Sequence, residues 1–232
     1  MGGDRGNRRL GALRTGKTGV PVLKLYTTPL SANGRKVLAV SRQLELKPDI
    51  HLVNVYRGEG RSPEYLAINP LGKIPTLVDG NLTLYESNAI LQYLSEVHGA
   101  YRLWSRDPGV RALIARWLYW ECGHWQPVLT TLLSACVGHR LLPERVPLPA
   151  ANVNWEDAEL RPLLAVLHRT LSETAFLAGD DVTLADFAVA GMVTYFSVAN
   201  FPFEKHPAFS DWYGRVEASD GWVASRDPMW VM

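Results

Sequence analysis

Two short apolar runs flank an amphipathic stretch near the start of the chain. Residues 22–26 and 50–55 are rich in aliphatic and β-branched side chains, which favours strands. Between them, Val37, Val40 and Leu44 recur at the spacing of one helix face. The pattern therefore predicts a β-α-β unit.

A β-hairpin is predicted from the residues that follow. The turn sequence Asp79-Gly-Asn81 separates two strand-like segments, 76–78 and 82–85, and such a turn favours antiparallel pairing. Pro75 comes directly before the first segment, and proline is tolerated in a sheet only at an edge, a strand start or a bulge. We therefore expect an open backbone edge beside Ile74.

A helix is predicted to start at Glu86-Ser87, directly after the hairpin. Its apolar face consists of Ile90, Tyr93, Leu94 and Val97. The first turn would offer backbone N–H groups, the positive end of a helix dipole and a serine hydroxyl, which all suit a carboxylate. With a short helical turn at 63–67, the element order becomes β-α-β-α-β-β-α, which fits a small mixed sheet with helices on both faces.

The second half of the chain has a helical composition. Asp107 followed by Pro108 predicts a helix start, Pro127 predicts a kink or break, and three prolines between residues 141 and 154 predict a loop. A later helix should bury one face, formed by Leu160, Leu164, Leu167 and Leu171. The last helix is predicted over 207–218.

Residues 182–187 carry the signature of a capped helix start. Thr183 is the predicted N-cap, Asp186 stands at the third helical position, and Val182 and Phe187 have the spacing of a hydrophobic staple. We expect a structural role for this cap, so replacing Asp186 should destabilise the fold.

Composition and charge narrow the class of protein. With 232 residues, 47% hydrophobic residues and a net charge of +1, the chain can form a globular core and lacks the basic excess of nucleic-acid binders. No apolar run is long enough to span a bilayer or to act as a secretory signal. These features predict a cytoplasmic protein with no membrane or nucleic-acid partner.

Residues 1–20, rich in glycine and arginine, are predicted to form a disordered tail.

Neither a disulfide framework nor a metal site is predicted. Cys122 and Cys136 have the spacing of neither a metal site nor a redox pair, and we expect them to be buried, reduced thiols. The six histidines are scattered, His124 included, and Glu121 lacks a recognisable partner for metal binding. No metal cofactor is therefore expected.

The motif at 69–75, Asn-Pro-x-x-x-Ile-Pro, together with the hairpin and Glu-Ser at 86–87, resembles the glutathione site of soluble glutathione S-transferases. The resemblance extends over about residues 22–225. It implies an α/β plus all-α architecture, with a thioredoxin-like glutathione-binding domain over 21–99 and an all-helical domain over 107–232. It also implies a homodimeric enzyme that activates the glutathione thiol, its co-substrate, for attack on an electrophile.

The resemblance assigns the glutathione contacts to individual residues. Pro75 corresponds to the cis-proline of the family, and the backbone of Ile74 would pair with the cysteinyl unit of glutathione. Glu86 and Ser87 would hold the γ-glutamyl end, and Lys73 would lie near the glycine carboxylate.

The chain departs from the family near the glycine end of the ligand. Gly60 stands where several classes carry a His or Gln that contacts glutathione. Either Arg61 replaces that contact or Lys73 carries it alone.

The segment between the first strand and the first helix should supply the group that activates the sulfur. Ser31 resembles the serine of the theta and delta classes, and it is the first candidate. Asn33, in Asn-Gly-Arg-Lys-Val, resembles the asparagine of nu-class bacterial enzymes, in which disulfide reduction is prominent. Thr28 ranks behind both, and Tyr26 lies too early in the loop for this role.

The second substrate should bind in the helical domain facing Ser31. The first long helix carries an unusual density of aromatic rings, namely Trp117, Tyr119, Trp120, His124 and Trp125. Some of them are expected to line a cavity for a hydrophobic substrate. A disulfide is the alternative substrate, with disulfide reductase or peroxidase activity. A non-catalytic binding or regulatory module with the same fold is a further alternative.

Overall fold

The structure, a computed structural model, describes residues 23–28, 31–149 and 152–226. The predicted tail over 1–20 lies outside these ranges. Within them, no helix combines the length and the apolar character that crossing a membrane requires.

A four-stranded mixed sheet forms the centre of the N-terminal unit, with the strand order β2-β1-β3-β4. The strands are β1 Lys24–Thr27, β2 Asp49–Leu52, β3 Thr76–Asp79 and β4 Leu82–Tyr85. β1 pairs in parallel with β2 and antiparallel with β3. The predicted hairpin is present as β3 and β4, with Thr76 opposite Tyr85. The ladder begins at Thr76, directly after Pro75.

Three helices pack on this sheet. They are α1 Ala32–Gln43, α2 Pro63–Leu66 and α3 Ser87–Tyr93. A π-helical turn at Leu94–His98 continues α3. Leu25 and Leu77 of the sheet are fully buried against Val37 of α1 and Ile90 of α3 in one core. The predicted order β-α-β-α-β-β-α is therefore confirmed.

The C-terminal unit consists of helices. They are α4 Pro108–Trp120, α5 Gln126–Leu141, α6 Leu160–Leu171, α7 Leu184–Val193, α8 Pro207–Glu217 and α9 Asp220–Ala224. A π-helical turn at Glu121–Trp125 joins α4 to α5, so the break that Pro127 predicts lies directly before the proline. The four leucines of α6 are buried, as predicted. The prediction of a last helix over 207–218 was incomplete, because α9 follows after Ser219.

Helix α7 lies at the centre of the molecule, and all ten of its residues are buried. Small residues let the helical unit approach α1 closely. A Cβ at Gly191 would lie 3.2 Å from the Ala32 carbonyl oxygen, and a Cβ at Gly221 would overlap the Ala39 carbonyl oxygen. The Gly221 N–H donates to Gln43 Oε1 at 2.7 Å. The α/β unit and the all-α unit therefore share one continuous core across α1.

The predicted capping box is present at the start of α7. The Ala185 N–H donates to Thr183 Oγ1 at 3.3 Å, and the Thr183 N–H donates to the Asp186 carboxylate at 2.8 Å. The same carboxylate accepts from Leu177 N and from Trp212 Nε1, both at 2.9 Å. Burial raises the pKa of Asp186, and these donors oppose the rise. The cap therefore also ties α7 to α8.

Asp186→Ala should lower the free energy of unfolding by about 3 kcal/mol or more, because the buried donors of Leu177 and Trp212 lose their acceptor together with the helix cap. Urea titration at neutral pH measures this quantity. Asp181→Ala, which removes an exposed carboxylate two positions before the cap, is the control and should change stability by less than about 0.5 kcal/mol. Equal losses in the two variants would contradict the structural role of the cap.

Candidate active site

A cavity of about 650 Å³ lies between the N-terminal sheet unit and the helical unit. One wall comes from the segment before β3 and from the start of α3, with Lys73, Ile74, Pro75, Glu86 and Ser87. The opposite wall comes from the end of α4 and the start of α5, with Leu118, Tyr119, Cys122, Gln126, Pro127 and Thr130. The structure thus brings these five predicted ligand contacts together, and Asn33 lines the same cavity.

Hydrogen bonds hold the loop before Pro75 in place. Asn69 is 1% exposed, and its Nδ2 donates to the Lys73 carbonyl at 2.8 Å and to Thr76 Oγ1 at 2.9 Å. The Tyr65 hydroxyl donates to the same carbonyl at 2.6 Å. The Ile74–Pro75 peptide bond is cis, as predicted. Because the ladder begins at Thr76, the backbone of Ile74 remains an open edge beside the cavity.

The start of α3 has an unusual backbone conformation. Glu86 adopts φ 68° and ψ 106°, a region that residues with a Cβ rarely occupy. Such strain persists where the surrounding structure imposes it, commonly at ligand sites. The sharp turn leaves Glu86 exposed and Ser87 half-buried at the cavity wall. Ser87 Oγ donates to Asn33 Oδ1 at 3.4 Å, so the starts of α1 and α3 are in contact.

Ser31 and Asn33 both stand at the start of α1, in different surroundings. Ser31 is the N-cap, is 7% exposed, and its Oγ accepts from the Gly34 N–H at 3.0 Å. The Ala32 N–H donates to the hydroxyl of Tyr195, which belongs to the helical unit, at 3.0 Å. Asn33 is half-buried and lines the cavity of about 650 Å³, called the larger cavity below. Ser31 does not line it.

A second cavity of about 290 Å³ lies beside the first. Its apolar lining consists of Tyr56, Leu133, Val137, Leu141, Leu142 and Met192. Asn33, Gln126 and Thr130 line both cavities, and Ser31 lines only the second one. The described side chains around the second cavity are all uncharged. Asn33 therefore belongs to the lining that is shared by a cavity with charged and polar side chains and a cavity with uncharged ones.

As expected from the sequence, some but not all of the aromatic residues in this stretch line a cavity, and most of the others pack in or against the core. Trp117 and Trp125 are 2% and 0% exposed, and the ring of Trp120 packs against both of them. His124 is exposed and lines neither cavity. Tyr119 lines the larger cavity. The rings of Trp117 and Trp125 are buried because this face of α4 and of the following π-helical turn points to the core.

Helix α5 provides the apolar wall that sequence reasoning missed. Thr130, Leu133, Val137 and Leu141 follow one another at intervals of three or four residues and therefore lie on one helix face. The spacing was readable in the sequence. Only the fold, which places this face and the start of α1 around the same space, shows that the face borders a cavity.

Two glycines shape the part of the loop next to Lys73. A Cβ at Gly60 would overlap the Gly72 carbonyl oxygen, and Gly72 has φ 63°. This close approach leaves no room for a His or Gln side chain at position 60. Arg61 is exposed, lies 3.5 Å from the Leu71 carbonyl oxygen through Nη1, and does not line the cavity. Lys73 is exposed and lines it.

The prediction that both cysteines are buried was wrong. Cys122 is exposed and lines the larger cavity because the π-helical turn directs it there, and Cys136 is half-buried. Both thiols are free. Desolvation and the nearby Glu121 carboxylate raise the pKa of the Cys122 thiol, so the thiol form predominates near neutral pH. Across the described ranges, no three metal-ligating side chains cluster together.

Thr28 and Tyr26 lie outside both cavities. Thr28 is 5% exposed, and its carbonyl accepts from the Ser31 N–H at 3.3 Å. The ring of Tyr26 stacks on His51 with a centroid distance of 4.7 Å. Thr28 therefore supports the start of α1, whereas the Tyr26 ring packs on β2.

Two family profiles match the chain. The glutathione S-transferase N-terminal domain matches residues 25–102, and the glutathione S-transferase C-terminal domain matches residues 128–220. Glutathione S-transferase F13 from Arabidopsis thaliana is 32% identical over 178 residues, which cover 75% of this chain and 80% of that protein. The chain belongs to the glutathione S-transferase family.

Solved structures share the whole architecture. Glutathione transferase F2 from Populus trichocarpa has a TM-score of 0.78 at 25% identity, with 88% of this chain and 96% of that chain covered. A delta-class glutathione transferase from Nilaparvata lugens has a TM-score of 0.75 at 26% identity, with 89% and 94% covered. Glutathione transferase URE2P8 from Phanerochaete chrysosporium, solved with oxidized glutathione, has a TM-score of 0.76 at 27% identity, with 92% and 97% covered. The fold is a thioredoxin-like domain followed by an all-helical domain, as predicted.

Gly60→Ala should lower the free energy of unfolding by about 1–3 kcal/mol, because the new Cβ forces the turn at 58–61 away from Gly72. Urea titration measures the change. Gly214→Ala is the control, since a Cβ at this position of α8 meets no atom within 4 Å. It should leave stability unchanged or raise it slightly, because alanine favours a helix over glycine. A Gly60→Ala variant as stable as the control would contradict the close approach.

Proposed function

We propose that the protein is a glutathione transferase that activates the glutathione thiol for attack on an electrophilic substrate. The observation that supports this most is that Asn33 lines two cavities, one of which carries charged and polar side chains while the other is lined by uncharged, mainly apolar ones. Glu86 and Ser87 would bind the γ-glutamyl end of glutathione. The cysteinyl backbone would pair with Ile74, and the glycine carboxylate would lie near Lys73.

Asn33 is the better placed of the two predicted activating residues. Ser87 donates to Asn33 Oδ1, which leaves the Nδ2 amide to donate to a sulfur at the junction of the cavities. Ser31 Oγ accepts from Gly34, which leaves its O–H free to donate, but of the two cavities Ser31 lines only the apolar one. We therefore rank Asn33 first and Ser31 second, which reverses the order expected from the sequence.

The chemistry requires a thiolate. A thiol with a pKa of about 8.5 is only a few per cent ionised at pH 7, and the ionised form is the nucleophile. Lowering the pKa by about two units takes about 2.7 kcal/mol of preferential stabilisation. One or two hydrogen bonds to the charged sulfur can supply that much. The proton passes to solvent, the sulfur forms the new bond, and the leaving group departs with the electron pair of the broken bond.

We propose an uncharged apolar electrophile, such as an aromatic halide, as the second substrate. The apolar lining of the smaller cavity and its lack of charge among the described residues support this class. A disulfide is the second candidate, with attack on one sulfur and departure of the other as a thiolate. The Asn33 motif favours it, and so does the likeness to URE2P8, which was solved with oxidized glutathione. Peroxidase activity belongs with this second candidate.

The family resemblance also supports proposals on assembly and location. We propose a cytoplasmic homodimer with a bacterial-type active-site segment like that of the theta and nu classes. Exposed apolar side chains on α4, including Val110, Leu113 and Tyr119, are available for a subunit contact. The remaining alternative, a binding or regulatory module, predicts glutathione binding without turnover.

Asn33→Ala should lower kcat/KM for glutathione about 10- to 100-fold with an aromatic chloride, because a hydrogen bond to a charged group contributes about 1.5–3 kcal/mol. The acidic limb of the kcat/KM pH profile should shift to higher pH, since the thiolate loses a donor. Ser31→Ala is the comparison variant. It should lose about 1 kcal/mol of stability because it loses its helix cap, and its loss of activity should be smaller than that of Asn33→Ala. A larger loss of activity in Ser31→Ala would contradict the ranking. If Asn33→Ala lost turnover with hydroxyethyl disulfide but kept turnover with the aromatic chloride, the disulfide reductase would be favoured.

The wild-type protein should be retained on immobilised glutathione and should turn over an aromatic chloride. Ser87→Ala should elute earlier and raise the KM for glutathione about five- to tenfold, because it loses one hydrogen bond to the ligand. Ser134→Ala, in the apolar cavity, should keep the wild-type elution volume. Retention without turnover of either substrate would identify a binding module, and absence of both would contradict the proposed function.

A further inference from the structure

A buried ion pair joins the two units behind the larger cavity. Lys36 Nζ on α1 lies 3.0 Å from Glu121 Oε2 in the π-helical turn after α4, and both side chains are 1% exposed. Asn88 Nδ2, at the start of α3, donates to the same carboxylate oxygen at 2.9 Å and to the Leu118 carbonyl at 2.8 Å. One carboxylate oxygen therefore connects α1, α3 and the helical unit.

This network lies directly next to the proposed glutathione contacts. Asn88 follows Ser87 in the chain and lines the larger cavity. On α1, Asn33 precedes Lys36 by three residues and accepts the hydrogen bond from Ser87. The helices α1 and α3 are thus connected twice, once at the cavity and once behind it. Their relative position sets the distance between the γ-glutamyl contacts and the proposed sulfur donor.

Stability alone does not account for the network. Glu121 Oε1 and Asn88 Oδ1 are buried and have no hydrogen-bond partner among the described residues. Buried polar atoms without partners destabilise a fold, and attraction within a buried ion pair offsets the lost solvation only in part. A protein with apolar side chains of similar volume in place of a buried ion pair is often at least as stable. The network therefore lowers the stability of the fold or adds little to it, and a role in positioning would explain its presence.

We propose that Glu121 is a positioning residue for the glutathione site. Its carboxylate, paired with Lys36, holds the Asn88 amide and so holds the start of α3, where Glu86 and Ser87 bind the γ-glutamyl end. Glu121 itself contacts no substrate. This inference rests on the proposed function, and it makes glutathione affinity depend on a residue of the helical unit.

Two double variants separate positioning from a purely structural role. Lys36→Met with Glu121→Gln removes both charges and keeps an oxygen that can accept from Asn88, while Lys36→Met with Glu121→Met removes that acceptor as well. The KM for glutathione should stay within about twofold of wild type in the first variant and rise about five- to tenfold in the second. The kcat at saturating glutathione should change less than about twofold in both, because the lost interaction serves binding. Equal KM values in the two folded variants would overturn the inference.

Asn88→Ala tests the same link if a double variant fails to fold. It leaves the pair of Lys36 and Glu121 in place and removes only the amide that connects this pair to α3. It should raise the KM for glutathione about five- to tenfold with a nearly unchanged kcat. If folded Asn88→Ala had the KM of the wild type, and the wild-type protein were active in the same assay, the inference would be overturned and the proposed function would stand. Wild-type protein that neither binds nor turns over glutathione would overturn the proposed function as well.

Discussion

The close packing of α1 against the sheet and the helical unit is the constraint on which the rest of the structure depends. Gly34 leaves no space for a Cβ beside Thr27 of the sheet, and Gly191 and Gly221 bring α7 and α9 against the backbone of α1. Backbone atoms in contact cannot adjust as long side chains do. The position of Asn33, at the start of this helix, is therefore set by both units together.

The candidate site is consequently a property of the interface between the units. The sheet unit supplies the open edge at Ile74 and the strained turn at Glu86, and the helical unit supplies the opposite wall of the larger cavity. Several polar contacts cross the interface, among them the buried ones from Ala32 to Tyr195 and from Lys36 to Glu121. A change in the helical unit can therefore affect the proposed glutathione contacts across a long sequence separation.

The parts of the site that are visible in the sequence all depend on short-range effects. The proline rule at Pro75, the turn chemistry of the hairpin and the start of α3 each involve a few consecutive residues, and the structure brings these elements to one cavity. The resemblance to glutathione S-transferases added the ligand, and it made Arg61 one of two candidates for the contact at the glycine end. The structure leaves Arg61 outside the cavity, because the approach of Gly60 to Gly72 shapes this loop through its backbone.

The sequence by itself determined the order of the strands and helices in the N-terminal unit, the capped start of α7 and the family, since periodicity, caps and turns act locally. Tertiary structure decided which faces of α4 and α5 meet the cavities, and it therefore buried Trp117 and Trp125, exposed Cys122 and gave Glu121 its partners. The proposed ranking of Asn33 before Ser31 also rests on the fold. A helix face reads the same in the sequence whether it meets a core, a cavity or solvent, and only long-range packing distinguishes them.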